Sequence, residues 1–312
     1  MFIASQDVKE SSLKLYNRSL SQFFLWIETG VLDGERKKYL QKGLPLPKGN
    51  KMISKLTRLD ILEYKDTLLS SGLSALTTAS YLVAVRKFYE WTESLKLYPN
   101  IAKGVKTPRK KNAFKKKHLP ECKCRELLEY YREKSLRDYA IVNLLLRTGL
   151  RTIEAVRANV GDLSLKTSTT GEIRRVLYVW GKGEDEKIPV FLSDKAYLPI
   201  RDYLDSRKGV KPSDPLFVSN SRQNRGERLT TKTISSLCKE GLREIGLDGK
   251  EYTAHSLRHT TGVEILKKTG SYTDVMRVLR HASIDTSRIY TESIEEELRT
   301  DNPPEFVLDS AF

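Results

Sequence analysis

Six residues of four types are spaced after position 150 in a pattern that suits chemistry at a phosphodiester. Moving a phosphoryl group between two hydroxyls requires a nucleophile, cationic donors that hold the non-bridging oxygens, and an acid that protonates the departing oxygen. When a side chain is the nucleophile, the bond energy is kept in a covalent link, and neither ATP nor a metal ion is needed. The candidates are Arg151, Lys182, His255, Arg258, His281 and Tyr290.

Local sequence signals indicate how the two arginines are positioned. Arg151 follows Gly149 where one helix should end and the next begin. His255 and Arg258 stand at i and i+3, which puts them on one face of a helix. Each arginine offers a rigid fork of donors that stays charged at any working pH, so the pair suits a phosphate. Taken singly, each candidate is also typical of an exposed or structural side chain, and only their combination indicates a site.

The positive charge of the chain is concentrated in its first part. The formal net charge is +15, and residues 1–117 hold 23 Lys and Arg against 10 Asp and Glu. Such a surplus indicates a polyanionic partner, because cations that neutralise phosphates release counterions and gain affinity for any sequence. Charge that only keeps the protein in solution is the alternative. The distribution favours nucleic acid as the partner.

A basic segment, residues 106–120, separates two parts of the chain. It has a proline near each end. So much like charge cannot pack in a core, and we expect an exposed and extended linker. The linker is either solvated without a partner or lies along DNA, and its charge density favours DNA. The predicted DNA-binding residues are Lys106, Arg109, Lys110, Lys111, Lys115, Lys116 and Lys117.

Helical periodicity dominates the residues before this linker. Thr57 and Asp60 form a plausible capping box at the start of one helix, and Ser74 opens another. Asp33–Lys51 is rich in Gly, Pro and Lys, which indicates a loop or an insertion. We expect residues 1–105 to form a helical domain.

The pattern becomes mixed after Pro120. Two β-rich runs, Arg174–Trp180 and Lys187–Leu192, flank Gly181-Lys182-Gly183 and predict a hairpin with an exposed tip. The predicted fold class is mainly α with a small antiparallel β-sheet. Helices are predicted at 121–132, 136–148, 194–206, 230–245, 255–268, 273–280 and 286–298.

Neither a membrane span nor a disulfide framework is expected. No apolar run approaches the ~20 residues that cross a bilayer, and Met1–Lys9 lacks a signal-peptide pattern. Three cysteines form no even framework, and Cys122-x-Cys124 has no second pair with which to bind zinc. We therefore expect a reduced, cytoplasmic protein that needs no metal or cofactor.

The ordered motifs resemble the tyrosine recombinase and phage integrase family over Arg125–Thr291. The spacing from the second arginine to the tyrosine is also that of the family. The positions that match its arginine turn, hairpin lysine, His-x-x-Arg pair, later histidine and nucleophile are Arg151, Lys182, His255, Arg258, His281 and Tyr290.

Two features depart from the family pattern. The acidic run Glu184–Glu186 follows the hairpin lysine, where relatives are often more basic. The general acid could therefore be Lys182 or Lys187, and the place of Lys182 between two glycines favours Lys182. Arg280 stands where a small residue, often glycine, usually precedes the later histidine.

The resemblance implies a role for each candidate in holding the phosphate and protonating the leaving group. Arg151 and Arg258 would clamp the scissile phosphate. Lys182 would reach into the minor groove and protonate the departing oxygen. Glu154 would orient the arginine and histidine cluster.

The resemblance also implies how the nucleophile is activated. A free tyrosine has a pKa of about 10, so Tyr290 would need local positive charge and a base at neutral pH. His255 and His281 would bond to the phosphate and assist proton transfer to or from Tyr290. The product would be a 3′-phosphotyrosine link to DNA.

The family's two-domain clamp implies the domain organisation. A SAM-like helical core-binding domain at 1–105 and a mixed α+β catalytic domain at 121–291 would grip opposite sides of duplex DNA. The tail, 292–312, would either be disordered or dock on a neighbouring protomer. The implied partners are double-stranded DNA with an inverted-repeat core site and further copies of the chain, a dimer on one site and a tetramer in synapsis, at the nucleoid.

Several functions stay open at this point. The leading one is the integrase of a mobile genetic element, which exchanges strands through a Holliday junction, and the Asp33–Lys51 insertion favours it. An Xer-type resolvase of chromosome or plasmid dimers uses the same residues. A type IB topoisomerase would act as a monomer without site preference and would have no use for a docking tail. A non-catalytic DNA-binding protein would not need all six candidates.

Overall fold

The computed structural model describes residues 1–8, 10–49, 51–108, 117–181, 186–280 and 300. The chain divides into two compact units, Met1–Ala113 and Phe114–Phe312. The narrower boundaries at 105, 120 and 291 stay a prediction. Each unit has a hydrophobic core of its own.

The first unit is helical, as predicted, and its core is largely aromatic. Phe23, Tyr64 and Tyr89 are almost completely buried. The rings of Phe23 and Tyr64 meet edge to face with their centroids 5.0 Å apart, a geometry that aromatic pairs prefer. The helices of this unit are α1 (Glu10–Thr29), α2 (Asp33–Gln41), α3 (Arg58–Ser70) and α4 (Ala75–Ser94).

Two helix starts in this unit are those that the sequence predicted. At the start of α3, Asp60 Oδ2 accepts a hydrogen bond from the backbone N–H of Thr57 at 2.7 Å. At the start of α4, Ser74 Oγ accepts from the backbone N–H of Thr77 at 3.1 Å. Both bonds satisfy a donor near the helix terminus, where backbone partners are missing.

The prediction of a loop over Asp33–Lys51 is wrong for its first half, because α2 occupies Asp33–Gln41. Its Gly and Lys content suggested a loop, but a contact with α1 and an ion pair within the segment stabilise a helix. The backbone N–H of Asp33 donates to Gln22 Oε1 at 3.1 Å. Asp33 also pairs with Lys37 one turn later at 3.0 Å, and acidic side chains in the first turn suit the helix dipole.

The second unit is mixed, which confirms the predicted fold class. Helix α7 begins directly after Arg151, where the sequence predicted a new helix. Strand β1 was not predicted, since it has only five residues and is largely exposed. The predicted helix at 286–298 lies outside the described residues. The elements are α5 (Glu121–Lys134), α6 (Leu136–Thr148), α7 (Thr152–Arg157), β1 (Leu163–Thr167), β2 (Ile173–Trp180), β3 (Lys187–Leu192), α8 (Asp194–Asp205), α9 (Thr231–Glu244), α10 (Ala254–Thr269) and α11 (Tyr272–Leu279).

The sheet seen in the described part of the chain has three antiparallel strands in the order β1-β2-β3. The predicted hairpin is its β2–β3 half, in which Trp180 pairs with Lys187 at the end next to the connecting turn. Leu177 and Val179 on β2 are buried and face the core. The tip of the hairpin, 182–185, lies outside the described residues.

Helix α6 lies in the core of the second unit, and its C-terminus leads directly into the turn that carries Arg151. Ala140, Ile141, Leu144 and Leu145 are at most 1% exposed. The helix packs against α5, α8 and α10, so its C-terminus is held from several sides. It ends at Gly149, as the sequence predicted, in the left-handed conformation.

Candidate active site

The site is built around the turn that joins α6 to α7. Gly149 has φ +60°, which favours glycine. A Cβ at this position would also collide with the side chain of Leu279 at the end of α11. The turn therefore needs glycine twice, for its backbone conformation and for its contact with α11.

Arg151 leaves this turn at the start of α7 and is held by Glu154. Its backbone N–H donates to Glu154 Oε2 at 2.8 Å, and its Nη1 donates to Glu154 Oε1 at 2.7 Å. Glu154 is 1% exposed, whereas the side chain of Arg151 is 26% exposed. One buried carboxylate thus orients both the main chain and the guanidinium of Arg151, which still reaches the surface.

Arg258 connects the same turn to two other helices. It lies on α10, is 2% exposed, and donates to the carbonyl oxygens of Gly149 and Leu279. A buried guanidinium requires such partners, because an unpaired charge is costly to remove from water. Arg258 therefore fixes the turn of Arg151 against the residue that lies two positions before His281.

Arg280 adds another guanidinium to this cluster. Its Nη2 donates to Glu154 Oε2 at 3.0 Å and to the carbonyl of Gly149 at 3.2 Å. Its Nη1 donates to the carbonyl of Val278 at 2.6 Å. Burial lowers the pKa of Arg280 below the ordinary arginine value, although an arginine of this kind stays protonated. The sequence marked this residue only as a departure from the family pattern.

The histidines on α10 differ in exposure. His255 is exposed, one turn before Arg258. His259 is 4% exposed, and its ring meets that of His118 edge to face at 6.1 Å. Burial lowers the pKa of His259 to about 4, and the neighbouring His118 and His255 add to the effect. His259 is consequently neutral at pH 7, while His255 is accessible from solvent.

Of the two lysines that could be the general acid, Lys182 and Lys187, the structure describes only Lys187. Lys187 forms an ion pair with Asp162 and lies over the ring of Trp180, 5.6 Å from its centroid. Lys187 therefore has a structural partner already. Lys182 lies outside the described residues.

A cationic cleft next to the hairpin was not found from the sequence. Arg228 donates to the carbonyls of Val156 and Ala158 and to Asn159 Oδ1. Together with Arg157 it lines a shallow cleft beside the hairpin. No motif marks Arg228, because its place depends on contacts about 70 residues away in sequence.

Several predicted site residues lie outside the described part of the chain. Of the linker residues that are described, Lys106 and Lys117 are both exposed. Within the described ranges, no three His, Cys, Asp or Glu side chains lie close enough together to hold a metal ion. The predicted residues that are not described are Lys182, His281, Tyr290, Arg109, Lys110, Lys111, Lys115 and Lys116.

None of the described helices is long and apolar enough to cross a membrane.

Comparison with known proteins gives a family match over the second unit. The sequence profile described as "Phage integrase family" matches residues 117–297. This range contains the turn of Arg151, the hairpin and α10, and it extends through the positions of His281 and Tyr290.

Curated relatives are named tyrosine recombinases. Tyrosine recombinase XerC of Caldanaerobacter subterraneus subsp. tengcongensis is 34% identical over 167 residues, which are 52% of this chain and 43% of the relative. A tyrosine recombinase of Synechococcus elongatus is 26% identical over 91% of this chain and 85% of its own length. Tyrosine recombinase XerD of Proteus mirabilis is 27% identical over 95% of both chains. The chain thus spans less than half of the first relative and nearly all of the other two.

Solved structures share the fold over both units. A post-cleavage complex of the XerH site-specific recombinase on palindromic difH substrate has a TM-score of 0.69 and 21% identity, over 93% of this chain and 78% of that one. A lambda integrase dimer bound to a COC′ core site has a TM-score of 0.64 and 15% identity, over 93% and 74%. A lambda integrase tetramer bound to a Holliday junction has a TM-score of 0.62 and 16% identity, over 92% and 73%.

Proposed function

The chain belongs to the phage integrase family of tyrosine recombinases, and we propose that it is a site-specific DNA recombinase with Tyr290 as its nucleophile. The tyrosine oxygen attacks the scissile phosphorus, the bond from phosphorus to the 5′ oxygen breaks, and a 3′-phosphotyrosine forms. The departing 5′ oxygen takes a proton. Attack by the 5′ hydroxyl of another strand reverses these steps and releases the tyrosine, so neither ATP nor a metal ion is consumed.

The observation that carries this proposal is the convergence of two arginines on one turn. Arg151 leaves the turn after Gly149, and Arg258 donates to the carbonyl of Gly149 from α10. The same Arg258 holds Leu279, two positions before His281. Two guanidiniums at one point suit a phosphate. Losing a preorganised donor to the transition state typically lowers a rate by ~10²–10³-fold.

Proton transfer is assigned to the remaining candidates. In our proposal, Lys182 protonates the 5′ oxygen, and the pairing of Lys187 with Asp162 supports this choice of lysine. His255 and His281 bond to the phosphate and move the proton of Tyr290. The exposed position of His255 beside Arg258 fits such a role. We leave His259 out of these roles, because it is buried and burial lowers its pKa to about 4, which makes it a weak base.

We extend the DNA and oligomer partners of the structural neighbours to this chain. Lambda integrase is seen as a dimer on a core site and as a tetramer on a Holliday junction. We propose that this chain binds an inverted-repeat core site as a dimer and exchanges strands as a tetramer, at the nucleoid in the cytoplasm. Residues 1–105 and 121–291 grip the duplex, the basic linker 106–120 lies along it, and the tail 292–312 docks on a neighbouring protomer.

The comparisons support two biological roles equally well: integration of a mobile element and Xer-type resolution of dimers. The two roles differ in the substrates that they join. An integrase recombines sites on separate molecules, whereas a resolvase acts on directly repeated sites within one plasmid dimer.

Covalent trapping tests the proposed chemistry. The protein is incubated with nicked duplexes that carry inverted-repeat sites selected by its own binding, and products are separated on a denaturing gel. We expect a covalent protein–DNA band that is lost in Tyr290→Phe. Tyr272→Phe is the matched control, because Tyr272 is a partly exposed tyrosine on α11, and it should keep the band.

Other outcomes would identify the alternatives. Tight, specific binding without any covalent band would make the chain a non-catalytic DNA-binding protein. Relaxation of supercoiled DNA without site preference and without strand exchange would make it a topoisomerase of the type IB class.

A further inference from the structure

Arg280 has an unusual backbone conformation for its residue type. Its φ is +54°, and among the described non-glycine residues only Lys96 shares a positive φ. Side chains with a Cβ rarely adopt this conformation. A residue in this conformation is held there by the surrounding structure. The contacts of the Arg280 side chain show what holds it.

The side chain of Arg280 is largely buried beside Glu154 and Gly149 in the candidate site. It is 10% exposed, and its guanidinium reaches Glu154 and the carbonyls of Gly149 and Val278. Arg151 is 26% exposed. Both terminal nitrogens of Arg280 are thus engaged by Glu154 and by backbone carbonyls, and its connection to Arg151 runs through the carboxylate of Glu154.

Arg151 and Arg280 share the carboxylate of Glu154, and this sharing changes how strongly Arg151 can bind a phosphate. If Arg151 were the only partner of the buried Glu154, the two residues would form a pair without net charge. The guanidinium of Arg151 would then bond mainly to this carboxylate. With Arg280 bonded to Oε2 at 3.0 Å, the group of three carries a net positive charge. Charges interact strongly in a site of low dielectric, so the extra charge favours a phosphate beside Arg151.

Arg280 also ties together the two segments that carry the site. Its Nη2 and Arg258 both donate to the carbonyl of Gly149. The turn of Arg151 and the end of α11 are thereby joined from two sides, directly before His281 in the sequence.

We infer that Arg280 is a positioning residue for DNA cleavage, which shares the buried Glu154 with Arg151 and locks the arginine turn to the end of α11. This inference rests on the proposed function. A glycine at position 280 would adopt the left-handed backbone conformation freely, but it would have no side chain to bond to Glu154.

Single-turnover cleavage of the nicked duplex, at saturating protein, tests the role. We expect Arg280→Gly to lower the cleavage rate by roughly 10-fold, less than the ~10²–10³-fold typical of a direct donor. The dissociation constant for DNA should stay within about twofold, because Arg280 does not contact the duplex. Arg280→Lys should recover part of the rate, since it keeps the charge without the planar fork.

A double variant separates this role from a merely structural one. If Arg280 acts through Arg151, Arg280→Gly should have almost no further effect on cleavage in an Arg151→Ala background. Full additivity of the two losses would overturn the inference. Lys96→Gly is the matched control, because it relieves the same backbone conformation in the first unit and should leave cleavage unchanged.

The outcomes distinguish this inference from the proposed function. A wild-type protein that never forms the covalent product would remove both. A wild-type protein that cleaves, together with an Arg280→Gly variant that cleaves equally fast, would remove only the role of Arg280. If Arg280→Gly loses DNA affinity in parallel with rate, the residue serves binding, and the positioning role is again overturned.

Discussion

Some buried polar groups of the two units differ in their hydrogen bonding. In the core of the first unit, the hydroxyls of Tyr64 and Tyr89 are buried without a hydrogen-bond partner within the described residues. In the second unit, Glu154 and Arg258 are equally buried but bonded to several groups. A tyrosine can be buried for its ring, whereas a buried charge is stable only with partners. Paired buried charges therefore mark the part of the molecule in which polarity serves a function.

Burial in the first unit also changes the pKa of these two tyrosines. Burial raises the pKa of Tyr64 and Tyr89 far above the ordinary tyrosine value. Neither tyrosine can become a nucleophile near neutral pH. Tyr64 and Tyr89 therefore serve as apolar rings in the core of the first unit.

The largest expected effect is that of removing a paired buried charge. Arg258→Met keeps an unbranched side chain but leaves the carbonyls of Gly149 and Leu279 without this donor. We expect the single-turnover cleavage rate to fall by ~10²–10³-fold. Arg132→Met, on the exposed face of α5, is the control and should cleave normally. Cleavage by Arg258→Met at the wild-type rate would break the link between paired buried charge and function.

An intermediate effect is expected from the buried histidine of the second unit. The pKa of His259 is lowered from 6.5 to about 4, so between these pH values the unfolded state binds a proton that the folded state does not. The free energy of unfolding should therefore fall by on the order of 3 kcal/mol as the pH falls from 6.5 towards 4. Urea unfolding of the wild type and of His259→Gln across this range measures it. We expect a shallower decline in the variant, and identical pH profiles would contradict the assignment.

The smallest effect comes from a matched pair of hydroxyl deletions. Tyr64→Phe in the first unit removes a hydroxyl without a partner, so the free energy of unfolding should stay the same or rise. Tyr131→Phe in the second unit removes a hydroxyl that donates to the carbonyl of Leu237 and accepts from the N–H of Gly241 at 3.0 Å. We expect Tyr131→Phe to lose about 1 kcal/mol. Equal effects in urea unfolding would show that the two units treat buried hydroxyls alike.

Most of the fold could be predicted because its signals are local. The capping residues Thr57 and Ser74, the glycine that ends α6, and the two runs that form the hairpin all act within a few positions. The local signals of the mistaken loop at Asp33–Gln41 were outweighed by its Gly and Lys content, and the missed strand β1 is short and exposed. Helix α2 also receives support from Gln22 in another helix, and β1 is stabilised by pairing with β2.

The candidate site could be predicted as a set of residues but not as an arrangement. The order of the motifs identified the family, which the profile match over 117–297 confirms. The roles of the individual residues stay predictions. What the motifs could not show is that Lys187 is engaged with Asp162, or that His259 is buried and neutral while His255 is exposed.

The sequence by itself determined the residue types, their order and the local elements that carry them, because helix ends and strand alternation depend on near neighbours. Only the tertiary structure decided which guanidiniums share Glu154. Arg280 stands 126 positions from Glu154, and Arg258 stands 109 positions from Gly149. Contacts at such separations depend on how α6, α10 and α11 pack, and on the left-handed backbone at position 280 that turns its side chain towards the buried carboxylate.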